Sequence, residues 1–319
     1  MTPEQFDVAI IGGGAAGLSA ALVLGRSRRS VVVIDAGAPR NGPASHMHGF
    51  LSRDGFSPAD LLRLGREEVA AYGARLLPET ATTARGNAED GFTITVGDGT
   101  QIAARRIILA TGVEDRLPTV PGAREAWGRF LLHCPYCHGH EVRDRPLAVF
   151  GGVPGAVAQA LLIRQWSSEL TYLTNGSTLT EEESRRLLAR GIRVRDGRIV
   201  ALLVDGDRFD GVRLDDGTTV SAEAVFIRPV ARPRTDLIAA LGGTPDPDGM
   251  AHIDPTGRTR VPGVWVTGNL VDPRAQVITA AGHANAVAMD VNADLVDEDV
   301  RAALLTLPTH DEDDRRTHP

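Results

Sequence analysis

The stretch "FDVAIIGGGAAGLSAALVLGRSRRSVVVIDAG" leaves this chain few folds to choose from. The β-branched run Val8–Ile11 leads into Gly12-x-Gly14-x-x-Gly17. A helix is expected from there to about Gly25, and a second strand over Ser30–Ile34 ends on Asp35. Gly12 permits a tight turn, Gly14 lets a pyrophosphate approach the backbone, and Gly17 lets helix and strand pack closely. Ala15 and Ala16 open the helix, whose first N–H groups are free to meet phosphate. Asp35, about 20 residues after the motif and followed by the small Ala36, is suited to accept hydrogen bonds from an adenosine ribose. A strand, Gly turn, helix, strand and acid in one register predict dinucleotide binding.

A chain of 319 residues has room for about two domains. Residues 92–112 read as strands with a hairpin at Asp98-Gly99, and "IILATG" is a buried strand ending in small residues. Near the C-terminus, "GVWVTGNLVDPRAQVITAAGHANAVAMD" gives a strand, Thr267-Gly268, a loop and a long helix from about Ala275. Between these, "PLAVFGGVPGAVAQALLIRQWSSELTYLTNG" repeats the opening unit in damaged form. Val153 stands where the second glycine of the motif belongs, and Pro154 removes an N–H donor. The strand Leu170–Leu173 ends in Thr174-Asn175-Gly176, with no acid for a ribose. Arg185 and Arg186 follow on a helix and are read as solvated. The expected fold is α/β with two Rossmann-like three-layer lobes, the second having lost its nucleotide chemistry.

The net charge of −7 supplies no basic field for nucleic acid or an anionic membrane. Every basic side chain counted as Lys or Arg is arginine, which we read as compositional bias. The N-terminus has no basic region ahead of its apolar run, and no segment reaches the roughly 20 apolar residues of a membrane helix. A cytoplasmic protein is expected, with a disordered tail at "THDEDDRRTHP".

The only two cysteines lie in "LLHCPYCHGHEVRD" as Cys134-x-x-Cys137, among His133, His138, His140 and Glu141. A static structural disulfide is out of place in a reducing compartment, so a redox or a metal role comes forward. Zinc is disfavoured because structural sites usually take their second ligand pair from a distant segment. His133 and His140 are read as packing or surface residues, and Trp127, Trp166 and Trp265 as core or lobe-packing residues.

In order and spacing, "GGGAAG", "ILATG", "HCPYC", "GGVPGA" and "GVWVTGN…AQVITAAG" resemble the low-molecular-weight thioredoxin reductases over nearly the whole chain. The resemblance implies an FAD domain over 1–115 and 248–319, interrupted by a smaller NAD(P)-type domain over 116–247 that carries the cysteines. It implies FAD at Gly12–Gly17 and Asp35, with Thr111, Gly112 and Gly268-Asn269 beside it. Gln276 and Val277, at a helix N-terminus, would face the isoalloxazine. It also implies a homodimer.

Two departures bear on activity: those reductases carry an acid directly after the second cysteine and an intact NADPH loop. Here His138 follows Cys137 and the loop is eroded, so a working NAD(P)H site is not expected. The run Cys134-Pro-Tyr-Cys137-His138-Gly139-His140-Glu141 resembles the FAD-dependent dithiol oxidases that close disulfides in natural products. "DAGAPRNGPASHMHGF" also resembles that branch and makes Arg40, Asn41 and His48 candidates for the flavin pocket.

An imidazole takes a thiol proton near neutral pH, for which an Asp with a pKa of about 4 is poorly matched. His138, oriented by Glu141, is therefore the expected base. A dithiol would attack Cys134, leave as a disulfide, and pass two electrons through Cys137 to FAD and on to O2, giving H2O2. A small-molecule dithiol is the favoured partner, with a thioredoxin-like protein and an NAD(P)H-fed reductase as the alternative.

Overall fold

A computed structural model describes residues 4–307. The expected tail, residues 309–319, lies outside the described residues.

The opening motif folds as read. Strand Glu4–Ile11 turns through Gly12–Gly14 into helix Ala15–Arg26, and Val31–Ile34 returns parallel to the first strand with Ile10 beside Val33. Gly12 has φ +109°, and a Cβ there would lie 2.3 Å from the Ala110 carbonyl oxygen. A Cβ on Gly17 would fall within van der Waals overlap of the Gly12 carbonyl. These two glycines are therefore fixed by packing of the chain on itself.

The first lobe is a seven-stranded sheet. Its parallel part runs Arg75–Leu77, Val31–Ile34, Glu4–Ile11, Gln101–Leu109 and Val264–Val266. The antiparallel pair Ala81–Asn87 and Gly91–Val96 extends it from the start of Gln101–Leu109. Apolar side chains on both faces of these strands leave both needing cover. Helices Ala15–Arg26, Pro58–Ala71 and Val277–Thr306 cover one face, burying Leu18, Leu24, Ala284, Val287 and Val291. The antiparallel pair and Leu237, Ile238 and Leu270 pack against the other.

Arginines bind the long C-terminal helix to the sheet. Arg106, 4% exposed, donates to Asp294, and Arg258 reaches both Asp290 and Asp294. Trp265 is buried, as read, with its indole N–H on Asp290 at 2.8 Å.

The second lobe repeats the plan with five parallel strands in the order Arg193–Arg195, Leu170–Leu173, Leu147–Phe150, Ala224–Phe226, Leu131–Leu132. Helices Ala156–Ile163 and Glu181–Ala189 lie on one side, and the antiparallel strands Ile199–Asp205, Arg208–Leu214 and Thr219–Val220 on the other. One antiparallel pair, Val113–Arg116 with Val230–Pro233, carries the chain out of the first lobe and back.

The return comes earlier than the division at 247/248 read from sequence. Leu237 and Ile238, on the short helix Asp236–Ala240, are buried in the core of the first lobe. We expect Leu237→Ala to cost about 2–5 kcal/mol, as for other buried Leu truncations. Urea unfolding followed by circular dichroism measures it; a cost under about 0.5 kcal/mol would place this helix outside the core.

Candidate active site

One cavity of about 950 Å3 runs between the lobes, near the upper end of the range for ligand sites. It begins at the Gly12–Ala16 turn, passes Asp35, Thr111, Gly112 and Gly268, and reaches Cys134, Cys137 and His138. Among the residues singled out from sequence, Ala36, Arg40, Asn41, His48, Asn269, Gln276 and Val277 also line it. Gly17 and Glu141 do not. Gly17 is spent on helix–strand contact, and Glu141 stands behind His48.

Two helices open on this cavity with unfilled first turns. The caps Gly14 and Gln276 make no side-chain capping bond, so the leading N–H groups of Ala15–Arg26 and Val277–Thr306 remain available to a ligand. Both ends carry partial positive charge, which favours phosphate at one and an electron-rich ring at the other. A Cβ built on Gly14 meets nothing within 4 Å, whereas one on Gly13 would strike the Asp35 carboxylate at 2.8–2.9 Å. The cradle is thus open at Gly14 and has its acid beside it. These features fit the pyrophosphate and ribose of FAD.

Two expected cofactor contacts have other commitments. Arg40 donates twice to Asp115, at 2.7 and 2.8 Å, and once to the Pro273 carbonyl. Its guanidinium ties three segments together at the cavity wall, because a half-buried charge is held by a partner where one is in reach. Asn269 donates its Nδ2 to the carbonyls of Asp272 and Ala275 and so shapes the loop before the C-terminal helix. Its Oδ1 is the atom left for a ligand hydroxyl.

Cys134 and Cys137 are joined as a disulfide, with Cα atoms 5.2 Å apart. Cys134 caps the four-residue helix Pro135–His138, with Pro135 at its first position, and its Sγ accepts the Cys137 N–H at 3.2 Å. Such an N–H donor favours the thiolate once the bond is open. The Gln276 amide lies 4.0 Å from one sulfur and 3.9 Å from the other, so the pair rests against the N-terminus of the first lobe's long helix.

Gly139 is forced by packing: a Cβ would sit 2.5 Å from the Pro135 carbonyl and 2.8 Å from the Trp166 ring. Trp166, read as a core or lobe-packing residue, supports the redox loop, with Tyr136 edge-on to it and exposed. Gln159, buried on helix Ala156–Ile163, donates to the His133 and Ile227 carbonyls and holds the loop from below.

Burial pushes the His138 imidazole below its ordinary pKa; the Glu141 charge opposes this and His48 adds to it. His138 is therefore neutral at pH 7 and able to accept a proton. Burial lowers His133 as well, with Asp115 opposing. Glu141 was expected to orient His138. The group within ion-pair distance of it is His48, with Nε2 3.5 Å from Oε1, and it acts on His138 through charge.

Sequence reasoning missed Asp54, Asp115, Tyr136 and Gln159. Asp54 precedes a glycine in "SRDGF" and reads as a turn acid, and only the fold brings it to His48.

In the second lobe the damaged loop has no open cradle like Gly14. Val153 is half-buried against the core, and the Arg228 guanidinium lies 3.0–3.1 Å from where a Cβ on Gly155 would be. No group of three or more His, Cys, Asp or Glu among the described residues is arranged to hold a metal ion. Nor is any helix among them long and apolar enough to cross a membrane.

Residues 6–284 match the family described as pyridine nucleotide-disulphide oxidoreductase. The crystal structure of HlmI is 48% identical, with a TM-score of 0.91, over 94% of this chain and 96% of that one. Thioredoxin reductase tcpT of Claviceps purpurea is 32% identical over 84% of this chain and 87% of its own. Thioredoxin reductase sirT of Leptosphaeria maculans is 29% identical over 94% and 97%.

The open space at Gly14 yields a test. Gly14 has an extended conformation, φ −75° and ψ −173°, that any residue adopts. We expect Gly14→Val to fold with an unchanged far-UV spectrum yet bind FAD at least about tenfold more weakly, because its side chain would take the pyrophosphate's place. Retained flavin, read from the 450 nm absorbance after dialysis, would move the pyrophosphate elsewhere.

Proposed function

This chain belongs to the pyridine nucleotide-disulphide oxidoreductases, a flavin-dependent class of enzymes, and we propose that within it the protein is a dithiol oxidase. The overall reaction is R(SH)2 + O2 → RS2 + H2O2, with a small-molecule dithiol as substrate. The observation that carries this reading is the half-buried imidazole of His138, set directly after the redox pair where an acid would serve a reductase.

The steps follow from the residues. A substrate thiolate attacks Cys134 Sγ, the Cys134–Cys137 bond breaks, and Cys137 leaves as a thiolate. His138 takes the proton of the second substrate thiol. That sulfur then attacks the substrate sulfur of the mixed disulfide, releasing the product disulfide and the Cys134 thiolate. The substrate has lost two electrons and the cysteine pair has gained them. FAD, when bound, would supply the two-electron acceptor for the reduced pair, with oxygen as the final oxidant. Gly14, Asp35 and the caps at Gly14 and Gln276 would hold that cofactor. His138 keeps the abstracted proton until it leaves with the peroxide.

The alternative, a reductase fed by NAD(P)H, needs a second cradle. Val153, half-buried against the core, and Arg228 against the Gly155 loop argue against one. We also assign a second copy of the chain to the C-terminal helix. Ile278, Met289, Val296, Val300 and Leu304 are exposed at helical spacing along one line, and a buried partner surface is their simplest use. Light scattering should give twice the chain mass, and Met289→Glu with Val296→Glu should give a monomer; an unchanged dimer would place the interface elsewhere.

Anaerobic bleaching of the flavin tests the main reading. Dithiothreitol should bleach it and NADPH should not, with colour and peroxide appearing on admitting air. Rapid bleaching by NADPH would establish the reductase instead. Cys137→Ser should keep FAD yet lose bleaching by dithiothreitol. His138→Asp should slow disulfide formation by about 10²-fold or more, the usual contribution of a positioned base; unchanged turnover would remove that role.

A further inference from the structure

We propose that His48, supplied by the first lobe, is a positioning residue for the base. It holds the Glu141 carboxylate beside His138, so the acid–base machinery is complete only when the two lobes meet. This extends, and rests on, the reading of His138 as the base.

His48 lies in the loop after Val31–Ile34, at the wall of the cavity, and its side chain is 21% exposed. Its Nδ1 is 3.4 Å from both carboxylate oxygens of Asp54. Asp54 is itself fixed, accepting the Gly49 N–H at 2.9 Å. On the other edge of the ring, Nε2 faces Glu141 Oε1 at 3.5 Å. An imidazole thus stands between two carboxylates, one from each lobe.

Glu141 is 44% exposed and sits on the irregular segment after Pro135–His138. A carboxylate so placed gains most by turning out to water, unless a donor holds it. His48 is the donor facing it. The other titratable groups around His48 are His138 and His140, both from the cysteine segment, and neither lies within ion-pair distance of Glu141, as His48 does.

Two effects of His48 on His138 run in opposite directions. By its own charge it disfavours a proton on His138. By keeping Glu141 in place it favours that proton, and the Glu141 effect is the larger. The direction of a single shift therefore separates positioning from mere charge.

The experiment measures kcat/KM for aerobic dithiothreitol oxidation against pH, using FAD-loaded full-length protein matched for flavin content. His48→Gln, Asp54→Asn, Glu141→Gln and the double variant His48→Gln/Glu141→Gln are compared, with His138→Asn as reference. If His48 positions Glu141, the acid limb in His48→Gln moves to lower pH, as in Glu141→Gln, and the rate on the plateau falls. Asp54→Asn should move it the same way by less. The double variant should move no further than Glu141→Gln alone, since both remove one interaction.

An upward shift in His48→Gln would mean that its charge alone acts, and no shift while Glu141→Gln shifts would mean no coupling; either overturns the proposal. Survival of the same limb in His138→Asn would instead overturn the base reading, and the proposal with it.

Discussion

The Cys134–Cys137 disulfide is carried by the second lobe, yet it rests against Gln276 at the N-terminus of a first-lobe helix. That contact across the lobes is the constraint on which the other features of the site depend. It sets the disulfide at one end of a cavity whose other end is the Gly12–Ala16 turn. Both ends are helix N-termini with free N–H groups, so the cavity favours negative charge at each. A ligand with phosphates at one end and an electron-accepting ring at the other satisfies both, and FAD is such a ligand.

The second lobe shows how a fold outlives a function. Its strand, turn and helix repeat the first unit, but Val153 is half-buried against the core and Arg228 lies on the Gly155 loop. What the lobe retains is mechanical: Gln159, Trp166 and Gly139 hold the redox loop in position. On this account electrons enter from the dithiol side, and the lobe that would feed in nicotinamide electrons serves as a wall.

Much of this was legible in the chain. Gly12, Gly14, Gly17 and Asp35 are local requirements of one turn and its flanking strands, and local requirements leave a spacing in the sequence. The damaged repeat was legible for the same reason. Contacts between distant segments leave no spacing. Nothing around Arg40 announces Asp115, so the sequence does not show that a side chain read as a candidate for the flavin pocket also bridges segments at the cavity wall. His48 and Glu141 lie far apart in sequence, and Asp54 reads as part of a turn; only the meeting of the lobes makes them one cluster. The early return of the chain at Leu237 was hidden by the shortness of its helix, which carries too few apolar positions to show a period.

Oxygen uptake with dithiothreitol and no nicotinamide present tests the central claim most directly. The account predicts sustained turnover with one O2 consumed and one H2O2 formed per disulfide, and none in Cys134→Ser. Negligible uptake with dithiol, together with NADPH-driven reduction of a disulfide, would contradict it.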